Sequence, residues 1–283
     1  MAQLARYRLP LARPSPHNGV PMHRRCYATL CIRSDSPGHG GRTWARTEPA
    51  LFGLFAQLLL NHTKLPLFVV HNDAVDPIAV LDGVVPPRHL HGPHAQVHPF
   101  EAEVLKGGVR APIMSRHYES MFTKLHLWRL PCQQVVYIDY DVLTLRSPDG
   151  AFDLCGDEPF CAVYVGDPIL RQFNGGVFVM QPSNDTYWRL RDLIDEDRRR
   201  GIARPLAEQE LLNGAFPEWK ALPSRYNVQG TASGYPYDVN TDVLIHEKFY
   251  MLPLELRAQL PIPRSLPEPT WLDYVVQFFA HFW

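Results

Sequence analysis

Two short apolar segments, Cys26-Tyr27-Ala28-Thr29-Leu30-Cys31-Ile32 and Leu67-Phe68-Val69-Val70, bracket a stretch of helical spacing, and no other feature constrains the fold of this chain as much. A strand that is apolar on both sides of its alternation is covered on both faces, as strands of parallel sheets are. Between the two segments, Glu48 to Leu60 carries Leu51, Leu54, Phe55 and Leu58 at helical intervals. Strand, helix, strand is a βαβ unit. Such units, repeated, predict an α/β fold with a mainly parallel sheet whose ligands bind beyond the carboxyl ends of the strands. Cys161 to Val165 and Gly176 to Met180 read as further strands. Ser115 to Leu130 reads as a helix ending before Pro131, and Tyr187 to Arg199 as an exposed helix of interspersed charge. A length of 283 residues suits one compact domain.

Charge narrows the function classes. A formal net charge of −1 and a sequence pI near 6.9 leave no global basic field, so a nucleic-acid partner is not expected. No apolar stretch reaches the ~20 residues of a membrane-spanning helix, so no transmembrane segment is expected. The first 34 residues lack Asp and Glu and carry several Arg, which reads as a disordered lead-in over 1–24 or as a transit peptide. Five cysteines without a C-x-x-C pair favour reduced thiols and a cytoplasmic location, with an organelle or the Golgi as the alternatives. His89, His91, His94 and His98 have no spacing that fits a zinc site and read as a solvated loop. Ser34 to Thr47, rich in Gly and polar residues, is either a loop over a ligand or a surface insertion. The aromatic run from Trp271 to Trp283 suits packing on the body or on a partner, a homodimer among the choices.

The apolar run Val135-Val136-Tyr137 closes on Ile138-Asp139-Tyr140-Asp141. In an extended chain, residues i and i+2 point to one side. Two carboxylates there supply the hard oxygens that a divalent cation on a diphosphate requires. Alone, D-x-D is equally a turn with solvated acids.

Its neighbours decide between these readings. Thr123-Lys124-Leu125-His126-Leu127-Trp128 precedes the strand, Asp141-Val142-Leu143-Thr144-Leu145 follows it, and Phe173-Asn174-Gly175-Gly176-Val177-Phe178-Val179 comes later. Glu208-Gln209-Glu210-Leu211-Leu212-Asn213 and Leu222-Pro223-Ser224-Arg225-Tyr226-Asn227 complete five ordered blocks. Their order and spacing, from about Tyr27 to His246, resemble glycosyltransferase family 8, the glycogenin and galactinol synthase group. The resemblance implies a single GT-A (Rossmann-like) nucleotide-sugar transferase domain over 25–283 with a mainly parallel mixed sheet. It implies a retaining hexosyltransferase that takes a UDP-sugar with Mn2+ and gives the sugar to a carbohydrate, polyol or tyrosine hydroxyl.

The same resemblance implies the roles of the residues. Asp139 and Asp141 hold the metal, Asp139 also reaches the donor ribose, and His246, ending the apolar run Val243-Leu244-Ile245, is the third ligand. Lys124 lies on the nucleotide side, and Thr29 and Leu30 bracket the base. Asn174, Gly175 and Gly176 form a turn that a ligand approaches closely. Glu208 orients the sugar, and Gln209 lies near the anomeric carbon. An amide is a poor nucleophile, so retention favours front-face attack, in which the leaving phosphate helps take the acceptor proton.

Past the histidine the chain departs from the family pattern. Relatives continue into H-x-x-G-x-x-K-P-W, whereas this chain reads His246-Glu247-Lys248-Phe249-Tyr250-Met251-Leu252-Pro253. That keeps a second reading open, a catalytically weak nucleotide-sugar-binding or scaffold protein. Tyr235 and Tyr237 are the tyrosines placed for self-glycosylation of the glycogenin kind.

Overall fold

The computed structural model describes residues 22–33, 48–107, 116–165, 169, 171–204, 206–229, 238 and 240–246. In chain order the elements are β1 (His23–Cys31), α1 (Glu48–His62), β2 (Leu67–His71), α2 (Pro77–Leu81), α3 (Pro87–Leu90) and β3 (Val97–Glu101). A 3-10 segment (Arg116–Arg129) leads into β4 (Cys132–Ile138), β5 (Val142–Thr144), α4 (Gly150–Cys155), β6 (Phe160–Tyr164) and β7 (Phe173–Met180). Then come α5 (Asn184–Arg200), α6 (Ala207–Ala215), β8 (Lys220–Ala221), a 3-10 turn (Ser224–Tyr226), β9 (Val228–Gln229) and β10 (Leu244–His246).

Seven strands form one mixed sheet in the order β3-β2-β1-β4-β7-β6-β8, with β7 antiparallel to both its neighbours and the remaining pairs parallel. Alternation along each strand divides the core in two. Ala28, Leu30, Phe68, Val70, Val135 and Tyr137 face one side. Tyr27, Leu67, Val69, Val136 and Ile138 face the other. The 3-10 segment, α5 and α6 cover the first side through Leu125, Trp128, Leu190, Ile194, Leu211 and Leu212. Helices α1 and α4 cover the second through Phe52, Phe55, Leu59 and Phe152. Each fully buried Leu or Phe contributes about 1.5–3 kcal/mol, so a double-sided cover makes continuous apolar strands stable. β1, α1 and β2 form the βαβ unit that the apolar spacing predicts.

Helix α5 begins at Ser183, whose side chain accepts the Thr186 N–H, and it ends at Gly201, which takes a left-handed φ of 66. Few other residues adopt that conformation at low cost, so the glycine sets the stop. The second sheet, β5-β10-β9, is small but carries the site: β10 runs antiparallel to β5 and parallel to β9.

Three expectations are corrected. Four of the five cysteines are paired: Cys26–Cys132 ties β1 to β4, and Cys155–Cys161 ties α4 to β6, while Cys31 lies buried outside both bridges. Parallel strand register brings Cys26 and Cys132 together across 106 residues, a contact that spacing along the chain does not reveal. The histidine stretch is no solvated loop: His89 is buried and hydrogen-bonded to Gln96, and His98 lies in β3, while His91 and His94 are exposed. The segment ahead of Pro131 winds with three residues per turn, an unusual run at that length. Its polar side chains are buried as ties: the Thr123 hydroxyl accepts the Leu105 N–H, and His126 Nε2 bonds the Glu103 carbonyl. The stretches 34–47 and 271–283 and the tyrosines Tyr235 and Tyr237 lie outside the described residues.

Candidate active site

The site forms where β4 ends. After Ile138 the chain does not run on extended. The Asp139 carbonyl accepts the Val142 N–H at 3.0 Å, so Asp139-Tyr140-Asp141 is a turn between β4 and β5. This corrects the expectation of an extended D-x-D. The antiparallel pairing of β5 with β10 dictates the turn and places His246 opposite Val142. One ligand atom each from Asp139, Asp141 and His246 then lies within 4.8 Å of the others. His246 Nε2 stands 3.5 Å from Asp141 Oδ1. Burial opposes the imidazolium, but the hydrogen bond and charge of Asp141 outweigh it, with Asp139 behind, so the His246 pKa lies above its ordinary value. Two carboxylates and an imidazole at this separation suit a divalent first-row cation such as Mn2+.

Space for the histidine comes from Gly176. A Cβ there would meet His246 Cε1 at 2.1 Å and Nδ1 at 2.6 Å, so no other residue fits without moving the ring. Asn174, Gly175 and Gly176 lie within strand β7 and form no turn, which corrects that expectation; the Gly176 carbonyl accepts the Asp139 N–H at 2.8 Å and so pins β7 to the Asp139-Tyr140-Asp141 turn.

Lys124 is buried, with 3% of its surface exposed. Its ammonium lies 3.0 Å from Asp139 and 2.8 Å from Glu208, and it donates to the Gly175 carbonyl at 3.2 Å. Burial works against the charge, yet the carboxylates of Asp139 and Glu208 raise the pKa above that of an ordinary lysine. The Tyr137 hydroxyl donates to Asp139, and its ring lies 5.0 Å from the ammonium. Lys124 therefore holds two acids from different elements as one charged cluster. Removing one partner of such a buried pair costs about 3–5 kcal/mol.

Glu208 and Gln209 open α6. Just before them Ala207 takes a left-handed φ of 49, a conformation that costs a non-glycine residue roughly 1–2 kcal/mol. Strain of this kind clusters at functional sites. The Gln209 side-chain carbonyl accepts the Gly175 N–H at 2.8 Å, which fixes the amide oxygen on β7. Asn174 is likewise fixed, its Oδ1 accepting the Gly176 N–H at 2.8 Å.

The structure thus brings together Lys124, Asp139, Asp141, Asn174, Gly175, Gly176, Glu208, Gln209 and His246. Thr29 and Leu30 lie in β1, the neighbour of β4. Leu30 packs in the core, and the buried Thr29 hydroxyl has no hydrogen-bond partner among the described residues. Two residues of the cluster carry no role in the sequence reading. Tyr137 reads there only as strand, and Asn227 stands in the Leu222-to-Asn227 block with nothing in the spacing to say what it touches.

The fold is that of the GT-A glycosyltransferases: the galactosyltransferase LgtC, solved with donor and acceptor sugar analogues, superposes with a TM-score of 0.54 at 15% identity, covering 90% of this chain and 95% of that one. In sequence, glycogenin of Neurospora crassa is 38% identical over 196 residues, 63% of this chain and 27% of its own length. Galactinol synthase 1 of Ajuga reptans is 27% identical over 144 residues, 40% of this chain and 42% of its own. No family-level sequence profile matches. The chain therefore spans under half the length of either relative. In sequence the chain is similar to glycogenin and to galactinol synthase, which bears out the resemblance read from its ordered blocks, and its fold is like that of LgtC.

Proposed function

We propose that this chain is a metal-dependent, retaining glycosyltransferase that moves a hexose from a UDP-sugar to a hydroxyl acceptor, with residues 25–283 as one domain. The observation that carries the reading is the convergence of Asp139, Asp141 and His246 beside Asn174-Gly175-Gly176 of β7 and Gln209. A divalent cation held there acts as a Lewis acid on the diphosphate leaving group. Lys124 balances the charges of Asp139 and Glu208 and holds both in place, which leaves Asp139 able to serve the metal and Glu208 to orient the sugar hydroxyls. With its carbonyl held by Gly175, Gln209 offers N–H groups rather than a nucleophile. Retention then proceeds by front-face attack, and the departing phosphate takes the acceptor proton.

Asp141→Asn removes a ligand charge with little change in shape. We expect Mn2+-dependent UDP release to be lost and the fold, followed by circular dichroism, to be kept. Unchanged UDP release in this variant, or equal turnover with and without a chelator, sinks the reading. The missing G-x-x-K-P-W after His246 favours the binder alternative, which predicts saturable UDP-sugar binding with no UDP released.

No helix among the described residues is long and apolar enough to cross a membrane. The cytoplasmic expectation rests on reduced thiols. Two buried disulfides favour an oxidising compartment instead, the organelle or Golgi alternative.

A further inference from the structure

We infer that Asn227 sets the orientation and tautomer of His246, leaving Nε2 as the metal-facing nitrogen; the inference rests on Asp139, Asp141 and His246 being the metal site. Asn227 is buried, with 2% of its surface exposed, and it touches both His246 and Asn174.

Proton positions follow from a chain of contacts that starts at a backbone group. The Gly176 N–H can only donate, so the atom 2.8 Å from it is the Asn174 carbonyl oxygen. That oxygen can only accept, so the Asn227 atom 3.1 Å from it is the amide nitrogen. The other end of the Asn227 amide, its oxygen, then faces His246 Nδ1 at 3.1 Å. An oxygen there needs a donor, so Nδ1 carries the proton. Nε2 is the nitrogen on the Asp141 side, so a cation held between them would take the Nε2 lone pair of a ring whose remaining proton is on Nδ1. Flipping either amide would set donor against donor or acceptor against acceptor, so the four groups lock one another.

The backbone supports the arrangement. Asn227 sits between the 3-10 turn and β9, and β9 pairs in parallel with β10, Ile245 against Val228 and His246 against Gln229. The Arg225 carbonyl accepts the Val243 N–H at 2.8 Å, which joins the two segments just ahead of the site. Residues in this position behind a ligating histidine affect metal affinity by about 10- to 100-fold. Asn227 is accordingly a positioning residue: it touches the ligand histidine and not the reacting atoms.

The test uses the full chain labelled with 15N-histidine. In the protein loaded with Zn2+, a diamagnetic cation that stands in for Mn2+, long-range 1H–15N correlation reads which ring nitrogen of each histidine keeps its proton, and His246→Gln identifies its signals by their loss; without a cation the Asp141 carboxylate, 3.5 Å from Nε2, would hold a proton on that nitrogen as well. We expect the Nδ1–H form for His246 in the wild type. Asn227→Leu removes the acceptor, and the Nδ1–H form should no longer dominate. Asn227→Asp gives up the bond to Asn174 but keeps an acceptor oxygen toward Nδ1, and should keep the proton on that nitrogen. Titration with Mn2+ alone, followed by electron paramagnetic resonance of the free ion, should show affinity about 10- to 100-fold weaker in Asn227→Leu and largely restored in Asn227→Asp. Thermal melting checks that the variants are folded. A dominant Nε2–H form in the wild type overturns the inference, whatever the variants do. So does an Asn227→Leu protein with the wild-type tautomer and Mn2+ midpoint. A wild type that takes up neither Zn2+ nor Mn2+ overturns the metal reading and the inference with it, an outcome distinct from the two above.

Discussion

At the scale of single residues, the site depends on what is missing as much as on what is present. Gly176 leaves the space that the His246 ring occupies, and a methyl group would lie 2.1 Å from Cε1. The nearest atoms belong to a ring held on one side by Asn227 and facing Asp141 on the other, so it cannot swing away cheaply. Gly176→Ala should therefore weaken Mn2+ binding at least about tenfold while the strand pairing of β7 persists. Calorimetric titration of UDP with Mn2+ checks this, and a wild-type midpoint would show that the histidine tolerates displacement. Much of the candidate site is legible in the sequence because it sits in ordered blocks: Asp139 and Asp141 end an apolar run, and Asn174-Gly175-Gly176 stands out as a triplet, although the structure holds it in β7 and not in a turn. Asn227 stands in such a block too, yet its role is not legible there. Its partner Asn174 lies 53 positions away and His246 lies 19 away, and only the pairing of β9 with β10 brings all three together.

Among the elements, the segment from Arg116 to Arg129 departs most from the expectation. Its spacing predicts a helix with one apolar face, but Thr123, Lys124 and His126 are as buried as Leu125 and Trp128. Sequence periodicity cannot reveal a helix covered all round, because polar residues there mark internal partners and not solvent. His126 has the clearest consequence. Its Nε2 bonds the Glu103 carbonyl, and Nδ1 faces the Arg129 guanidinium at 3.3 Å, so the neutral ring is satisfied at both nitrogens. Burial first, then the Arg129 charge, lowers its pKa from 6.5 to about 4. The folded protein thus binds this proton less readily than the unfolded chain does. Stability contributed by the neutral ring is intact above the unfolded value and declines as pH falls through the window from 6.5 to about 4. The full loss is about 3 kcal/mol, at roughly 1.36 kcal/mol for each pH unit of that window. Denaturant melts across that window should show the slope in the wild type and lose most of it in His126→Gln. An equal slope in both proteins would assign the acid sensitivity to other groups.

For the whole molecule, the cysteines matter most, and here the sequence misleads. An odd number without close pairs reads as thiols, whereas the sheet places Cys26 and Cys132 on neighbouring parallel strands with Cα atoms 6.2 Å apart. The second pair, with a sequence separation of 6, closes the turn from α4 into β6. On the chain-entropy account, a cross-link over a loop of about a hundred residues stabilises by about 4–5 kcal/mol, and one over about six residues by about 2 kcal/mol. The stabilisation from the long-range bridge is comparable to the whole stability of many domains. It also falls at the centre of the sheet, because β4 carries Asp139 at its end and β1 is its neighbour. Loss of the Cys26–Cys132 bridge should therefore loosen the candidate metal site as well as the fold. In the double variant Cys26→Ala, Cys132→Ala, unfolding free energy should drop by about 4–5 kcal/mol, with protease sensitivity rising first around β1 and β4. Peptide mapping without reductant supplies the direct check. Alkylation of the denatured, unreduced protein should label Cys31 and leave Cys26, Cys132, Cys155 and Cys161 in two linked peptide pairs. Labelling of all five would return the chain to a reducing compartment and remove the argument for an oxidising one.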